Sequence, residues 1–271
     1  MRRIFAIAAC LLALGACTPK EKLIILHVND THSHFEPVRG GRYDGCGGCI
    51  ERAAFVDSVR KAEGADRVLL LHAGDFSQGT SYFSELGGEL EIDVINSMGY
   101  DCVTLGNHEL DNNIEALEKR LSRINCPVVC ANLDLSPFKL SEYVKPYAIL
   151  ERAGLKIGVI GLETDISTDV SKMVSSRIQQ LDNIEVTNKW AEYLHNTEKC
   201  DLVILLSHIG YQEDQALVPH IKYVDMVIGG HSHTFVDDIV YVRDARGRRV
   251  PVVQDGDWGK EVGKLTVSGG C

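Results

Sequence analysis

Beyond residue 22 the chain repeats one pattern: a short run rich in Val, Ile and Leu ends at a Gly, Asp, Asn or His. The runs are 23–28, 68–71, 102–105, 127–131, 156–160, 202–206 and 226–228. Each is too short for a core helix and apolar on both faces, as a strand buried on both sides must be. Between several of them lie amphipathic stretches of helical length, 50–63, 90–98, 114–124 and 184–198. This alternation predicts an α/β domain with largely parallel strands. The tail breaks it: 239–242, 250–254 and 264–267 read as strands joined by turns such as 244–247. No linker, low-complexity segment or internal repeat interrupts the pattern, so one domain is expected over 22–268.

Composition narrows the class without changing it. Of 271 residues, 45% are hydrophobic and 24% charged, which excludes a disordered chain, a collagen and a disulfide miniprotein. The 28 basic and 38 acidic residues leave a net charge of −10. Such a surface repels nucleic-acid polymers and anionic lipid, so a phosphate-bearing ligand would need help from a cation.

The N-terminal residues form a separate unit. Arg2 and Arg3 precede an apolar run, 4–14, too short to span a bilayer, and this is the layout of a cleaved export signal. Its end, Leu14-Gly15-Ala16-Cys17, resembles a bacterial lipobox. The expectation is an exported lipoprotein, periplasmic or at the cell surface, that touches a membrane only through lipid on Cys17; an ordinary cleaved signal is the plainer alternative. Export permits disulfides. Without Cys10 and Cys17 an odd number of cysteines remains, so at least one is expected unpaired. Cys46-Gly47-Gly48-Cys49 lacks the second half of a zinc knuckle and reads as a local disulfide or two idle thiols.

The chemistry lies at the strand ends. The first run ends in Asn29-Asp30-Thr31-His32, the second in Gly74-Asp75, the third in Gly106-Asn107-His108-Glu109 with Asp111 just after. Later runs end in Ser207-His208 and Gly230-His231-Ser232-His233. These loops fall at the carboxyl edge of a sheet, where α/β proteins place their sites. In an extended segment, residues i and i+2 project to the same side, so Asp30 with His32, and His231 with His233, could each clasp one ion. A single Asp after a strand is ordinarily a cap or turn residue. Turn chemistry does not call for imidazole in three separate loops, however. His27, His34, His72, His195 and His220 read as structural or surface residues, with His34 and His72 nearest the site.

Together these blocks resemble the ordered signature of the calcineurin-like metallophosphoesterases, and within them the catalytic domain of secreted bacterial 5′-nucleotidases. Ala131-Asn132-Leu133, Gly161-Leu162-Glu163-Thr164 and Gln254-Asp255-Gly256-Asp257-Trp258-Gly259 agree with it. The resemblance implies a four-layer α-β-β-α sandwich, which the strand pattern alone does not distinguish from one doubly wound sheet. It implies two divalent metal ions, of Zn, Mn, Fe or Co type, bridged by Asp75. Asp30, His32 and His233 would complete one site; Asn107, His208 and His231 the other. A bridging water, acidified to hydroxide, would attack phosphorus in line. His108 would contact the phosphoryl group and stabilise charge at the transition state or leaving group, with Asp111 orienting it.

The implied substrate is a small phosphoester, foremost a nucleotide. Cyclic-nucleotide phosphodiesterase, nucleotide-sugar pyrophosphatase, sulfur-ester hydrolase and a non-catalytic scaffold lipoprotein are the alternatives. Secreted 5′-nucleotidases usually continue into a second, nucleotide-gripping domain, which is not expected within these residues; a separate polypeptide would supply it, or small phosphoesters would be accepted unaided.

Overall fold

The computed structural model describes residues 22–268, so the signal segment and Cys17 lie outside the described residues. Two six-stranded sheets form its centre. In spatial order the first contains Gly263–Val267, Leu23–Val28, Val68–His72, Cys102–Thr104, Val128–Val129 and Val144–Lys145. The second contains Val240–Arg243, Arg249–Val253, Met226–Ile228, Leu202–His208, Leu155–Glu163 and Tyr147–Arg152. The pairings inside both sheets are parallel, and antiparallel pairs occur only at edges, through Gly263–Val267, Val240–Arg243 and Tyr147–Arg152.

Three apolar clusters show how the layers stack. In Leu23–Val28 the side chains of Leu23 and Ile25 join Leu69, Leu71, Ile157, Ile204 and Ile228, the cluster shared by the two sheets. Ile24, Leu26 and Val28 point the other way, onto Val56, Ile92, Ile95 and Leu117 of helices Cys49–Glu63, Glu89–Met98 and Ile114–Leu121. On the far side, Leu162, Val203, Leu205 and Val227 meet Val186, Ala191 and Leu194 of the helix Asn183–Asn196. Alternate side chains of one strand thus face different layers, and the architecture is the α-β-β-α sandwich. Each such large side chain, when fully buried, contributes roughly 1.5–3 kcal/mol. The sheets come into close contact at Gly161, where a Cβ would overlap the Val129 carbonyl, so only glycine fits. Local signals start and stop the helices: Asn113 and Asp182 cap two N-termini by accepting from Ala116 and Glu185 N–H, and Gly99 ends a third in a left-handed conformation.

The tail departs from a simple meander. Val240–Arg243 and Arg249–Val253 form the expected hairpin, whose turn Asp244 holds through the N–H groups of Arg246 and Arg248. Gly263–Val267 instead crosses over to pair with Leu23–Val28, so the chain end ties the second sheet to the first. The strand Tyr147–Arg152 and the helix Tyr211–Leu217 have no counterpart in the apolar runs, being half-exposed or short. Among the described residues no helix is long and apolar enough to cross a membrane.

Candidate metal centre

Five strands deliver the site, three from the first sheet and two from the second, all at their carboxyl ends. Asp30 and His32 follow Leu23–Val28, Asp75 follows Val68–His72, and Asn107 and His108 follow Cys102–Thr104. His208 ends Leu202–His208, and His231 and His233 follow Met226–Ile228. The chain makes sharp turns to do this. Asp30, His32, Asp75, His231 and His233 all have positive φ, between 47° and 74°, a conformation that costs non-glycine residues on the order of 1–3 kcal/mol each and marks functional sites. Gly106 has no Cβ because one would overlap Asp75.

Among the described residues, three overlapping groups bring ligand atoms within 4.8 Å of one another: Asp30, His32 and His233; His32, Asp75 and His108; and Asp75, His208 and His231. Asp75 sits between them, its Oδ2 at 3.1 Å from His208 Nε2 and 3.8 Å from His32 Nε2. His233 Nε2 lies 3.3 Å from Asp30 Oδ1, and Asn107 Oδ1 lies 3.1 Å from His231 Nδ1. The extended backbone expected for the i, i+2 pairs is absent: Asp30, His32, His231 and His233 all have positive φ. Asp30 and His32 still fall in one group, whereas His231 joins Asp75 and His208 and His233 joins Asp30 and His32.

The donor set fits cations. His208 Nδ1–H donates to the Ala73 carbonyl at 2.6 Å, which leaves the Nε2 lone pair buried, without a hydrogen-bond partner and aimed at a carboxylate. His32 Nδ1–H donates to the Gln78 carbonyl, so its Nε2 lone pair faces His233 Nε2 at 3.0 Å. Lone pairs converging in a buried acidic site repel unless a proton or a metal ion lies between them. With a proton in that role, burial opposes charge on both His208 and Asp75. Their mutual attraction outweighs it, raising the imidazole well above its usual range and holding the carboxyl below its own. Mixed imidazole, amide and carboxylate donors suit divalent transition metals better than Ca.

Further residues stand around these groups, and of them Glu109 and Asp169 carry roles the sequence did not announce. Glu109, fully buried, accepts from the N–H groups of Asp75, Ser77 and Gly106, and so fastens the Asp75 loop to the turn bearing Asn107 and His108. Asp169 lies 3.6 Å from His231 Nε2 and accepts from Thr164 Oγ1 at 3.2 Å. His34 bonds the His32 carbonyl and stacks on Trp258, and His72 bonds Thr31, so both stand behind the site rather than in it. Asp111 Oδ2 accepts from His108 Nδ1 at 2.7 Å. Cys46 and Cys49 are free thiols.

A two-sheet sandwich with histidines, carboxylates and an amide gathered at the strand ends defines a metallophosphoesterase, and the calcineurin-like phosphoesterase profile matches residues 23–235. The chain belongs to that family. It is 35% identical to the snake venom 5′-nucleotidase of Gloydius brevicauda, over 94% of this chain and 46% of the relative. It is 33% identical to the 5′-nucleotidase of Bos taurus, over 98% of this chain and 49% of the relative. The structure of the 5′-nucleotidase precursor from Thermus thermophilus superposes with a TM-score of 0.85 at 33% identity, covering 91% of this chain and 51% of that one. The chain therefore spans about half the length of the relatives it matches.

Proposed function

We propose that the protein is a dinuclear metal-dependent phosphoesterase acting on nucleotides. The observation that carries this is the convergence of buried donors on Asp75, with an unpartnered His208 Nε2. Asp30, His32 and His233 would hold one ion, Asn107, His208 and His231 the other, and Asp75 both. When bound, such ions supply Lewis acidity and lower the pKa of water to near neutrality. The chain's own residues do the positioning. Ala73 and Gln78 carbonyls fix the tautomers of His208 and His32, and Glu109 holds the Asp75 loop. His108 presents a ring whose Nδ1 is engaged by Asp111, leaving Nε2 for the phosphoryl group or leaving oxygen.

Nucleotides are favoured over other phosphoesters because the 5′-nucleotidases named above match the chain almost end to end. Chelator treatment should lower hydrolysis of an aryl phosphate by at least about 100-fold, and Mn²⁺ should restore it. Activity that survives chelation would overturn the metal reading. AMP should then be turned over faster than UDP-glucose or 2′,3′-cyclic AMP; the reverse order would replace nucleotidase by pyrophosphatase or phosphodiesterase.

Export with lipid attachment at Cys17 rests on the Leu14-Gly15-Ala16-Cys17 resemblance. Cys17→Ser should move the protein from the detergent phase to the aqueous phase, and unchanged partitioning would sink the anchor.

A further inference from the structure

Behind the turn that carries Asp30 and His32 lies a second buried polar cluster, separate from the candidate ligands. Arg52 comes from the helix Cys49–Glu63, Glu91 from Glu89–Met98, and His72 ends Val68–His72. All three are at most 5% exposed. Each keeps one side-chain atom without a hydrogen-bond partner: Arg52 Nε, His72 Nδ1 and Glu91 Oε2. The three side chains, with Thr31, Phe76 and Tyr100 among their neighbours, line one small, partly open pocket of about 10 Å³. That is about the space one water molecule requires. A buried unpaired polar atom is costly, and three on side chains that line one water-sized, otherwise largely apolar pocket call for a shared partner.

We infer that this cavity holds an ordered water bound by Arg52, His72 and Glu91, and that the cluster is a positioning network for the ligand-bearing turn. The water accepts from Arg52 Nε–H and donates to Glu91 Oε2, with His72 Nδ1 as its third partner. The other ends of the same side chains reach the turn. His72 Nε2 bonds Thr31 Oγ1 at 3.0 Å, and Ser33 Oγ donates to Glu91 Oε1. Thr31 and Ser33 flank His32, and Asp30, His32 and Ser33 have φ of 49°, 47° and 55°. Bonds to both neighbours of a left-handed histidine oppose its relaxation to an ordinary backbone conformation. Arg52 Nη1 extends the network to the Trp258 carbonyl, whose own N–H donates to the Asp30 carbonyl at 2.6 Å. Burial pushes the His72 imidazole down to about 3, so it enters the network neutral.

The positioning role rests on the metal reading above; the water does not. A high-resolution crystal structure of the full chain should show one density peak within hydrogen-bonding distance of all three atoms. An empty cavity, or direct contacts that close it, would refute the water. Mn²⁺ titration calorimetry tests the positioning. Glu91→Ala should weaken binding by about 10- to 100-fold, the range for residues that orient metal ligands. Glu91→Gln, which still accepts from Ser33, should recover most of the loss. Thr31→Val, which removes only the hydroxyl that His72 holds, should weaken binding in the same direction and remains informative if Glu91→Ala does not fold. Wild-type affinity in Glu91→Ala, or in Thr31→Val where Glu91→Ala is unfolded, would refute positioning. A wild-type chain that binds no Mn²⁺ would remove the metal reading and the positioning role together, leaving the water to the density alone.

Discussion

Asp75→Asn should leave a folded protein that no longer holds its full metal complement and has lost on the order of 10⁴-fold in kcat. The substitution is isosteric, and the new amide would still offer an oxygen to the His108 N–H, from which Asp75 Oδ1 now accepts at 3.0 Å. What it removes is charge. Two dications held about 4 Å apart repel by roughly 17 kcal/mol at an effective dielectric of about 20, and a neutral amide offsets none of that. Asp75 is also the one residue common to the two triads that contain His32 with His108 and His208 with His231, so both halves of the site should suffer. Losing the several kcal/mol that metal ions supply to phosphoryl transfer gives the stated rate loss, at about 1.36 kcal/mol per tenfold. Metal analysis beside steady-state kinetics checks this, and a variant with full metal content and near-normal turnover would refute the bridging role. The metal-free variant should carry a second signature. Asp75 is the largest charge holding the His208 imidazolium, so the His208 pKa should fall, and NMR titration of the ring can follow it.

How much of this was legible in the chain depended on the kind of signal. Strands such as Leu23–Val28, Leu202–His208 and Met226–Ile228 are buried on both faces, so they stand out as unbroken apolar runs. Tyr147–Arg152 is an edge strand with a half-wetted face and charged end residues, and its pattern does not separate from a loop. Division into two sheets was not legible from periodicity. Leu23 and Ile24 face different layers, yet both are apolar, and a single sheet between helices would require the same. It came from the family resemblance. The candidate ligands at strand ends were legible as candidates because imidazole and carboxylate there have little structural reason to recur. Glu109 and Asp169 act on the site through backbone N–H groups and a neighbouring hydroxyl, contacts that exist only after folding. The extended backbone assumed for the pairs Asp30 with His32 and His231 with His233 has the same origin, since the left-handed conformations of all four residues exist only after folding.

His108→Ala should separate proton handling from metal binding, and its effect should depend on the leaving group. Among the candidate residues, His108 is held by a carboxylate outside the metal cluster, Asp111, at 2.7 Å. Its ring stands edge-on to His32 with centroids 5.2 Å apart, close enough to reach a phosphoryl group or leaving oxygen at the site. Metal content should therefore remain at the wild-type level, while kcat for AMP falls by about 10²- to 10⁴-fold, the usual contribution of a positioned acid or base. An activated aryl phosphate should lose much less, because a phenolate departs without a proton and a nucleoside alkoxide does not. Burial lowers the His108 pKa, but the Asp111 hydrogen bond and the charges of Asp75 and Asp111 outweigh it and raise the value to about 9. Bound cations would neutralise the pull of Asp75, so the contribution that persists in the working enzyme is that of Asp111. Asp111→Asn should thus lower the His108 pKa and move the alkaline limb of the kcat profile to lower pH, since the protonated imidazolium is lost earlier as pH rises. Full turnover of AMP by His108→Ala, or an alkaline limb unmoved in Asp111→Asn, would show that the proton for the leaving oxygen comes from elsewhere.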